Sequence, residues 1–177
     1  MIAINNMRAR ESFFEWNNSD RAMRNLANTR PIENPALRSY VEAMFPGRIP
    51  TVGRDIEIMF LLHDEEVGRT RFDIEIPVTS MYVYIPRKYW DARNTDNRLL
   101  IDCIDHELVH VEDIVSFRAF NYYRRFGKER AMNIMDYKAY HQNQWYNRHI
   151  RKTNIIDYSE YFNHYRNLIP KDWWKIK

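Results

Sequence analysis

The stretch His106-Glu107-Leu108-Val109-His110 places two histidines four residues apart, with a glutamate directly after the first. Residues four apart lie on one face of an α-helix, so the two imidazoles can share one metal ion. Glu107 then lies beside them, within reach of a metal-bound water. This HExxH pattern is the arrangement that a zinc hydrolase needs. A chance match in a chain of this length is on the order of one in a hundred, so the rest of the chain must supply a helical context and a third ligand.

The composition indicates one ordered domain. The chain has 177 residues, and 45% of them are hydrophobic, which is enough to form a hydrophobic core. It has only four glycines. A net charge of +3 does not by itself imply nucleic acid as a partner. Cys103 is the only cysteine, which excludes an internal disulfide framework and favours a buried, unreactive thiol. Because no apolar run approaches about 20 residues, and none resembles a signal peptide, we expect no membrane partner.

The hydrophobic period changes twice along the chain. Residues 1–50 read as a helical N-terminal region, with a helix or helix pair over 7–28 and a second helix that starts at Asn34-Pro35 and stops at Pro46-Gly47. In residues 55–86, hydrophobic residues alternate with other residues, which predicts three strands of a small sheet. The short connections between the strands favour antiparallel pairing.

The helical period then returns. Residues 96–150 read as the metal-site helices: a buried central helix that Thr95 or Asp96 caps, and a second helix of about 128–150 after a break at Gly127. Residues 151–177 form a C-terminal helical tail, with a helix around Tyr158–Leu168. The order of helices, sheet and helices predicts an α+β fold, with residues 1–177 as a single domain.

A catalytic zinc usually has three protein ligands and keeps its fourth position for water. The extended motif HExxHxxGxxH would need a histidine at position 116, where this chain has Ser116. The third ligand must therefore come from elsewhere, or be absent. Glu112 follows His110 by two residues and points away from the shared face.

At this point the chain resembles the zincin metallopeptidases, and among them the HExxH-plus-carboxylate group called gluzincins, of the small bacterial and phage type. The resemblance covers residues 55–150. In several such families the helix after the motif carries E-x-x-A, and the matching segment here is Asp136-Tyr137-Lys138-Ala139. The resemblance thus implies Asp136 as the third ligand. His141 and Glu129, which are near in sequence or in the next helix, stay open as alternatives. Aspartate is one methylene shorter than glutamate, so the helices must approach closely, which the small Ala139 permits.

The resemblance also implies a function. We expect a zincin-like domain in which a small antiparallel sheet packs on the central HExxH helix, with Zn²⁺ as cofactor and a peptide or protein as substrate. Glu107 would be the general base. Auxiliary candidates are Tyr140, His141 and Tyr84. The edge strand before the motif would bind an extended peptide by strand addition; its residues are Ser80–Ile85, with Ser80, Tyr82 and Tyr84 as the proposed contacts.

Other functions are also open. Many Tyr, Trp, Arg and Asn residues suit interfaces. Small domains of the family that the chain resembles occur in phage proteins, so the resemblance also allows a structural or assembly protein of a phage virion, with an auxiliary metal site and other subunits as partners. Its location would then be the virion rather than the cytoplasm.

A basic and aromatic cluster at residues 118–130 could contact nucleic acid, but interleaved acidic residues favour a solvated helix face. Asp102 and Asp113 lie near the histidine pair and could orient an imidazole. We interpret His63, His149 and His164 as structural.

Overall fold

The computed structural model describes residues 33–50, 56–64, 68–74, 79–152 and 156–176. Within these ranges the chain is mixed α/β, with six α-helices and one three-stranded sheet. The strands are β1 (Ile56–His63), β2 (Arg69–Ile74) and β3 (Thr79–Pro86). The helices are α1 (Pro35–Met44), α2 (Arg87–Asp91), α3 (Arg98–Val115), α4 (Arg118–Phe126), α5 (Lys128–Tyr146) and α6 (Ser159–Leu168). The helix predicted over 7–28 lies outside the described residues.

The sheet has the order β1-β3-β2, so β3 is its central strand. β3 pairs in parallel with β1, where Ile56 lies opposite Thr79, and antiparallel with β2, where Arg69 lies opposite Tyr84. The predicted antiparallel pairing of consecutive strands is correct for β2 and β3 and wrong for β1, which pairs in parallel with β3 instead. Alternating hydrophobicity indicates which residues of a strand face the core, but it does not specify which strand lies next to which.

The prediction that β3 is an edge strand is wrong. Both of its backbone edges are paired over Thr79–Tyr84, and Tyr82 and Tyr84 pack in a buried cluster with Leu61. A substrate peptide therefore has no open backbone edge to join along the stretch that includes Ser80, Tyr82 and Tyr84. Residues Met81–Ile85 of β3 are buried on both faces of the strand. Because tyrosine is amphipathic, the sequence of β3 alternates in the same way as that of a strand with one solvent-exposed face.

Helix α1 begins where the sequence predicted. The Asn34 side chain caps it by accepting a hydrogen bond from the Leu37 N–H at 3.0 Å, and Pro35 occupies its first turn. The Asn34 N–H also donates to the Phe60 carbonyl at 2.9 Å. These bonds tie the start of α1 to β1, and the fully buried Leu37 and Val41 place its apolar face in the core.

Helix α3 carries the HExxH motif. Asp96 caps it, because its Oδ1 accepts the Arg98 N–H at 3.0 Å. The helix buries an apolar stripe formed by Leu100, Ile101, Ile104, Leu108 and Val111. It ends at Val115 rather than continuing to Gly127, because Phe117 adopts a left-handed conformation with φ of 59° and separates α3 from α4.

The chain divides into two compact units, and the boundary falls inside α3 between Glu107 and Leu108. The first unit contains the sheet and α1; the second contains α4, α5 and α6. The prediction of a single domain stays a prediction. No helix in the described ranges combines the length and the apolar character that crossing a membrane requires.

Candidate metal centre

His106, His110 and Asp136 bring one possible ligand atom each to within 4.8 Å of the others. The two histidines lie one turn apart on α3, as the motif predicted, and Asp136 projects from α5. All three side chains are partly buried. Two neutral imidazoles and a carboxylate are a ligand set that Zn²⁺ accepts in catalytic sites. Of the candidates for the third ligand, Asp136 is therefore the one that the fold brings to the histidine pair.

The distance between His110 and Asp136 fits a zinc coordination shell. His110 Nε2 lies 3.5 Å from Asp136 Oδ1. Two ligand atoms of a tetrahedral zinc site with bonds of about 2.0–2.1 Å are separated by about 3.3 Å. Ala139, one turn after Asp136, is fully buried, as expected if a small side chain lets α5 approach α3 closely.

Burial sets the protonation of this pair. Burial and, to a smaller extent, the nearby Lys138 ammonium together lower the pKa of His110 to about 4. Burial also raises the pKa of Asp136 to about 6, although a hydrogen bond from Tyr165 opposes that rise. At neutral pH a neutral imidazole therefore faces a carboxylate that is mostly ionised. These are the protonation states that metal binding requires.

Glu107 lies beside this group and is not a member of it. Its side chain is 4% exposed, and the Thr70 hydroxyl donates a hydrogen bond of 2.8 Å to its Oε2. Gly68 lies against it as well, because a Cβ added to Gly68 would lie only 2.8 Å from Glu107 Oε1. The carboxylate is thus held by the β2 side of the first unit, which suits a proton acceptor rather than a metal ligand.

Cys103 lies one turn before Glu107 and shares the contact with Gly68. A Cβ on Gly68 would lie 2.6 Å from Cys103 Sγ. Burial, followed by the charge of Glu107, raises the pKa of Cys103 well above its usual value. The thiol therefore stays protonated at neutral pH, which disfavours it as a zinc ligand and agrees with the predicted unreactive thiol.

A buried cluster of charged side chains lies close to His110. Asp113 is fully buried, and its Oδ1 accepts a hydrogen bond of 2.8 Å from Arg118 Nε and another from Lys138 Nζ. These contacts join α3, α4 and α5. Asp113 thus pairs with Arg118 and Lys138, whereas the sequence suggested that it could orient an imidazole of the histidine pair. Lys138 also supplies the positive charge that acts on His110.

The other predicted site residues lie elsewhere. His141 is exposed, and its ring contacts Tyr137 and Phe162 at centroid distances of 6.0 and 5.9 Å. Glu129 is exposed at the start of α5. Tyr84 is buried in the sheet, with 3% exposure. None of these residues belongs to the group formed by the two histidines and Asp136.

The sequence does not predict two polar contacts of the site. The Tyr165 hydroxyl hydrogen-bonds to Asp136, and the Thr70 hydroxyl binds Glu107. Tyr158, Tyr161 and Tyr165 recur at helical spacing, which is a signal of an aromatic face on α6 but not of its partner. Nothing in the sequence marks Thr70 as a partner of Glu107, because threonine is common in strands.

Comparison of the chain with protein-family models, with curated proteins and with solved structures found no match.

Proposed function

We propose that this protein is a zinc-dependent peptide-bond hydrolase of the zincin type, with His106, His110 and Asp136 as metal ligands and Glu107 as general base. The observation that carries the proposal is the convergence of Asp136 with the two histidines of the HExxH motif. The motif itself guarantees only that the histidines share a helical face. The carboxylate comes from a different helix, and it is the one that the resemblance to the gluzincins implies.

The charge balance of the group supports a cation. Near neutral pH it holds a mostly ionised carboxylate and a neutral imidazole, and burial disfavours charge on both side chains. A divalent ion would compensate the carboxylate and use the imidazole lone pair. Zinc bound there would lower the pKa of a bound water to about 7 and polarise a substrate carbonyl.

Glu107 is suited to move the proton. The Thr70 hydroxyl donates to its Oε2, and the carboxylate would accept a proton from an attacking water and return it to the leaving amine. Because Glu107 is almost fully buried, its charge interacts strongly with groups in the site. Its hydrogen bond fixes the orientation of the carboxylate before substrate binds, which reduces the reorganisation needed during the reaction.

The sheet suggests a different substrate strand from the predicted one. In the described sheet β2 is an outer strand, and it is the strand whose Thr70 touches Glu107. An extended peptide that joined the outer edge of β2 would run beside the general base. We therefore place the substrate along β2 rather than along Ser80–Ile85.

Substitution of Glu107 tests the proposed reaction. Glu107→Gln keeps the size of the side chain and removes its basicity, so we expect it to retain zinc and to lose hydrolysis of a peptide library followed by mass spectrometry. Glu129→Gln is the matched control, because Glu129 is exposed on α5 and should retain both properties. Hydrolysis that survives Glu107→Gln at the level of this control would contradict the role of Glu107.

A second candidate function is an assembly protein, such as a phage virion component, that keeps an auxiliary metal site. One observation favours it: several large hydrophobic side chains are exposed in the second unit, and such surfaces often mark interfaces. They are Phe117, Met132, Trp145, Ile150, Tyr161, Leu168 and Trp174. Stoichiometric zinc without hydrolysis of any peptide, together with concentration-dependent association in sedimentation experiments, would favour this function over the enzyme.

A further inference from the structure

Asp136 receives a hydrogen bond from a residue far along the chain. The Tyr165 hydroxyl on α6 donates to the Asp136 carboxylate. A carboxylate on a short side chain has two oxygens and can rotate about its bonds, so it can present either oxygen to a neighbour. A donor on a second helix removes part of that freedom.

The ring of Tyr165 is itself held in place. It stacks on Tyr140 with a centroid distance of 5.8 Å and an interplanar angle of 12°. Tyr140 lies one turn after Asp136 on α5 and also stacks on Tyr161, at 4.9 Å and 18°. The ring that carries the donor hydroxyl therefore rests on the same helix that carries the acceptor.

The chain that leads into α6 is fixed to α5 by buried amides. Gln144 Oε1 accepts the Tyr158 N–H at 2.6 Å, and Asn147 Oδ1 accepts the Ile156 N–H at 3.3 Å. Gln144 is 5% exposed and Asn147 is fully buried. These bonds set the start of α6 against the end of α5, so that Tyr165 reaches Asp136.

We propose that Tyr165 is a positioning residue of the metal site: its hydroxyl holds the Asp136 carboxylate in the orientation that faces His106 and His110. The inference rests on the proposed metal site and names the residue that prepares its third ligand. Groups that orient a metal ligand through a hydrogen bond commonly change metal affinity by 10–100-fold when they are removed. Tyr165 lies outside the motif and acts through Asp136.

Measurements of metal affinity test this role of Tyr165 independently of any enzymatic activity. Zinc dissociation constants would be measured by chelator competition for the full chain, and the visible spectrum of the Co²⁺-substituted protein would report the ligand geometry. Tyr165→Phe keeps the ring and its stacking and removes only the hydroxyl. We expect zinc affinity to fall by about 10–100-fold and the Co²⁺ spectrum to change.

Tyr161→Phe is the matched control. Tyr161 stacks on the same Tyr140 ring, and its described contacts are ring contacts. This control should keep the wild-type affinity and spectrum. An affinity and spectrum in Tyr165→Phe equal to those of the control would overturn the inference while leaving the metal site intact. Wild-type protein that binds neither ion would overturn both the site and the inference, whereas zinc binding without peptide hydrolysis would overturn only the enzymatic proposal.

Discussion

The Thr70 hydroxyl donates a hydrogen bond of 2.8 Å to Glu107 Oε2 and so links strand β2 to the glutamate of the HExxH motif. The same hydroxyl lies 3.3 Å from the Glu107 backbone carbonyl. A single side chain of the outer strand thus contacts both the backbone and the carboxylate of the proposed general base.

We predict that Thr70→Val lowers kcat for peptide hydrolysis by about tenfold or more, because the base loses the group that orients it. The substitution should lower the free energy of unfolding by about 1 kcal/mol and leave zinc affinity unchanged. Thr70→Ser keeps the hydroxyl and should restore most of kcat. Steady-state kinetics over a range of pH would check this, and equal kcat values for the valine and serine variants would show that the hydrogen bond has no role in orienting Glu107.

Gly68 is predicted to be intolerant of any side chain. A Cβ there would lie 2.6 Å from Cys103 Sγ and 2.8 Å from Glu107 Oε1, both inside van der Waals contact. Gly68→Ala should therefore lower the free energy of unfolding, measured in urea, by about 1–3 kcal/mol. Cys103→Ala removes the closer of the two contacts, so the double variant should recover part of that loss. Strictly additive losses in the double variant would argue against a clash with the thiol.

The sequence predicts part of the fold and part of the candidate site. The start of α1 at Asn34-Pro35, the cap of α3 by Asp96 and the ligand pair His106 and His110 follow from local rules, because caps and helical spacing involve residues close in sequence. The role of Asp136 as a third ligand was predicted only from the resemblance to a family. The order of the strands and the bond from Tyr165 depend on contacts between distant residues, which no local pattern encodes. The break at Phe117 was missed because a non-glycine residue in a left-handed conformation gives no sequence signal.

Lys138 is predicted to matter more for stability than Arg118, although both bind Asp113. The Lys138 side chain is 20% exposed and that of Arg118 is 40% exposed, so Lys138 is the more deeply buried partner. Lys138→Met should cost about 3 kcal/mol of unfolding free energy, because it leaves a buried carboxylate with one cation fewer. It should also raise the pKa of His110, which NMR titration of the imidazole would show. A larger destabilisation by Arg118→Met would contradict this ranking.

The metal-free protein should show opposing pH effects from His110 and Asp136. The pKa of His110 is lowered from 6.5 to about 4, so the unfolded state binds more protons in that range and stability rises with pH. The pKa of Asp136 is raised from 3.8 to about 6, so the folded state binds more protons and its contribution falls as pH rises. The two contributions largely cancel in the wild type.

Variants that remove one group should reveal the other. Relative to the wild type, Asp136→Asn should gain stability as pH rises from about 4 to 6, by on the order of 3 kcal/mol. His110→Gln should change in the opposite direction over about pH 4 to 6.5. Urea denaturation of the metal-free proteins across this range would measure both differences. Parallel pH profiles for the wild type and both variants would show that neither side chain has a shifted pKa.

The central claim is that His106, His110 and Asp136 bind one zinc ion. X-ray absorption at the zinc edge of the full chain loaded with one equivalent of zinc tests it most directly. We predict a first shell of nitrogen and oxygen atoms at about 2.0–2.1 Å, with the outer-shell pattern of two imidazoles that falls to one in His106→Ala. A sulfur atom at about 2.3 Å, which would indicate Cys103, or a spectrum without imidazole features, would contradict the assignment.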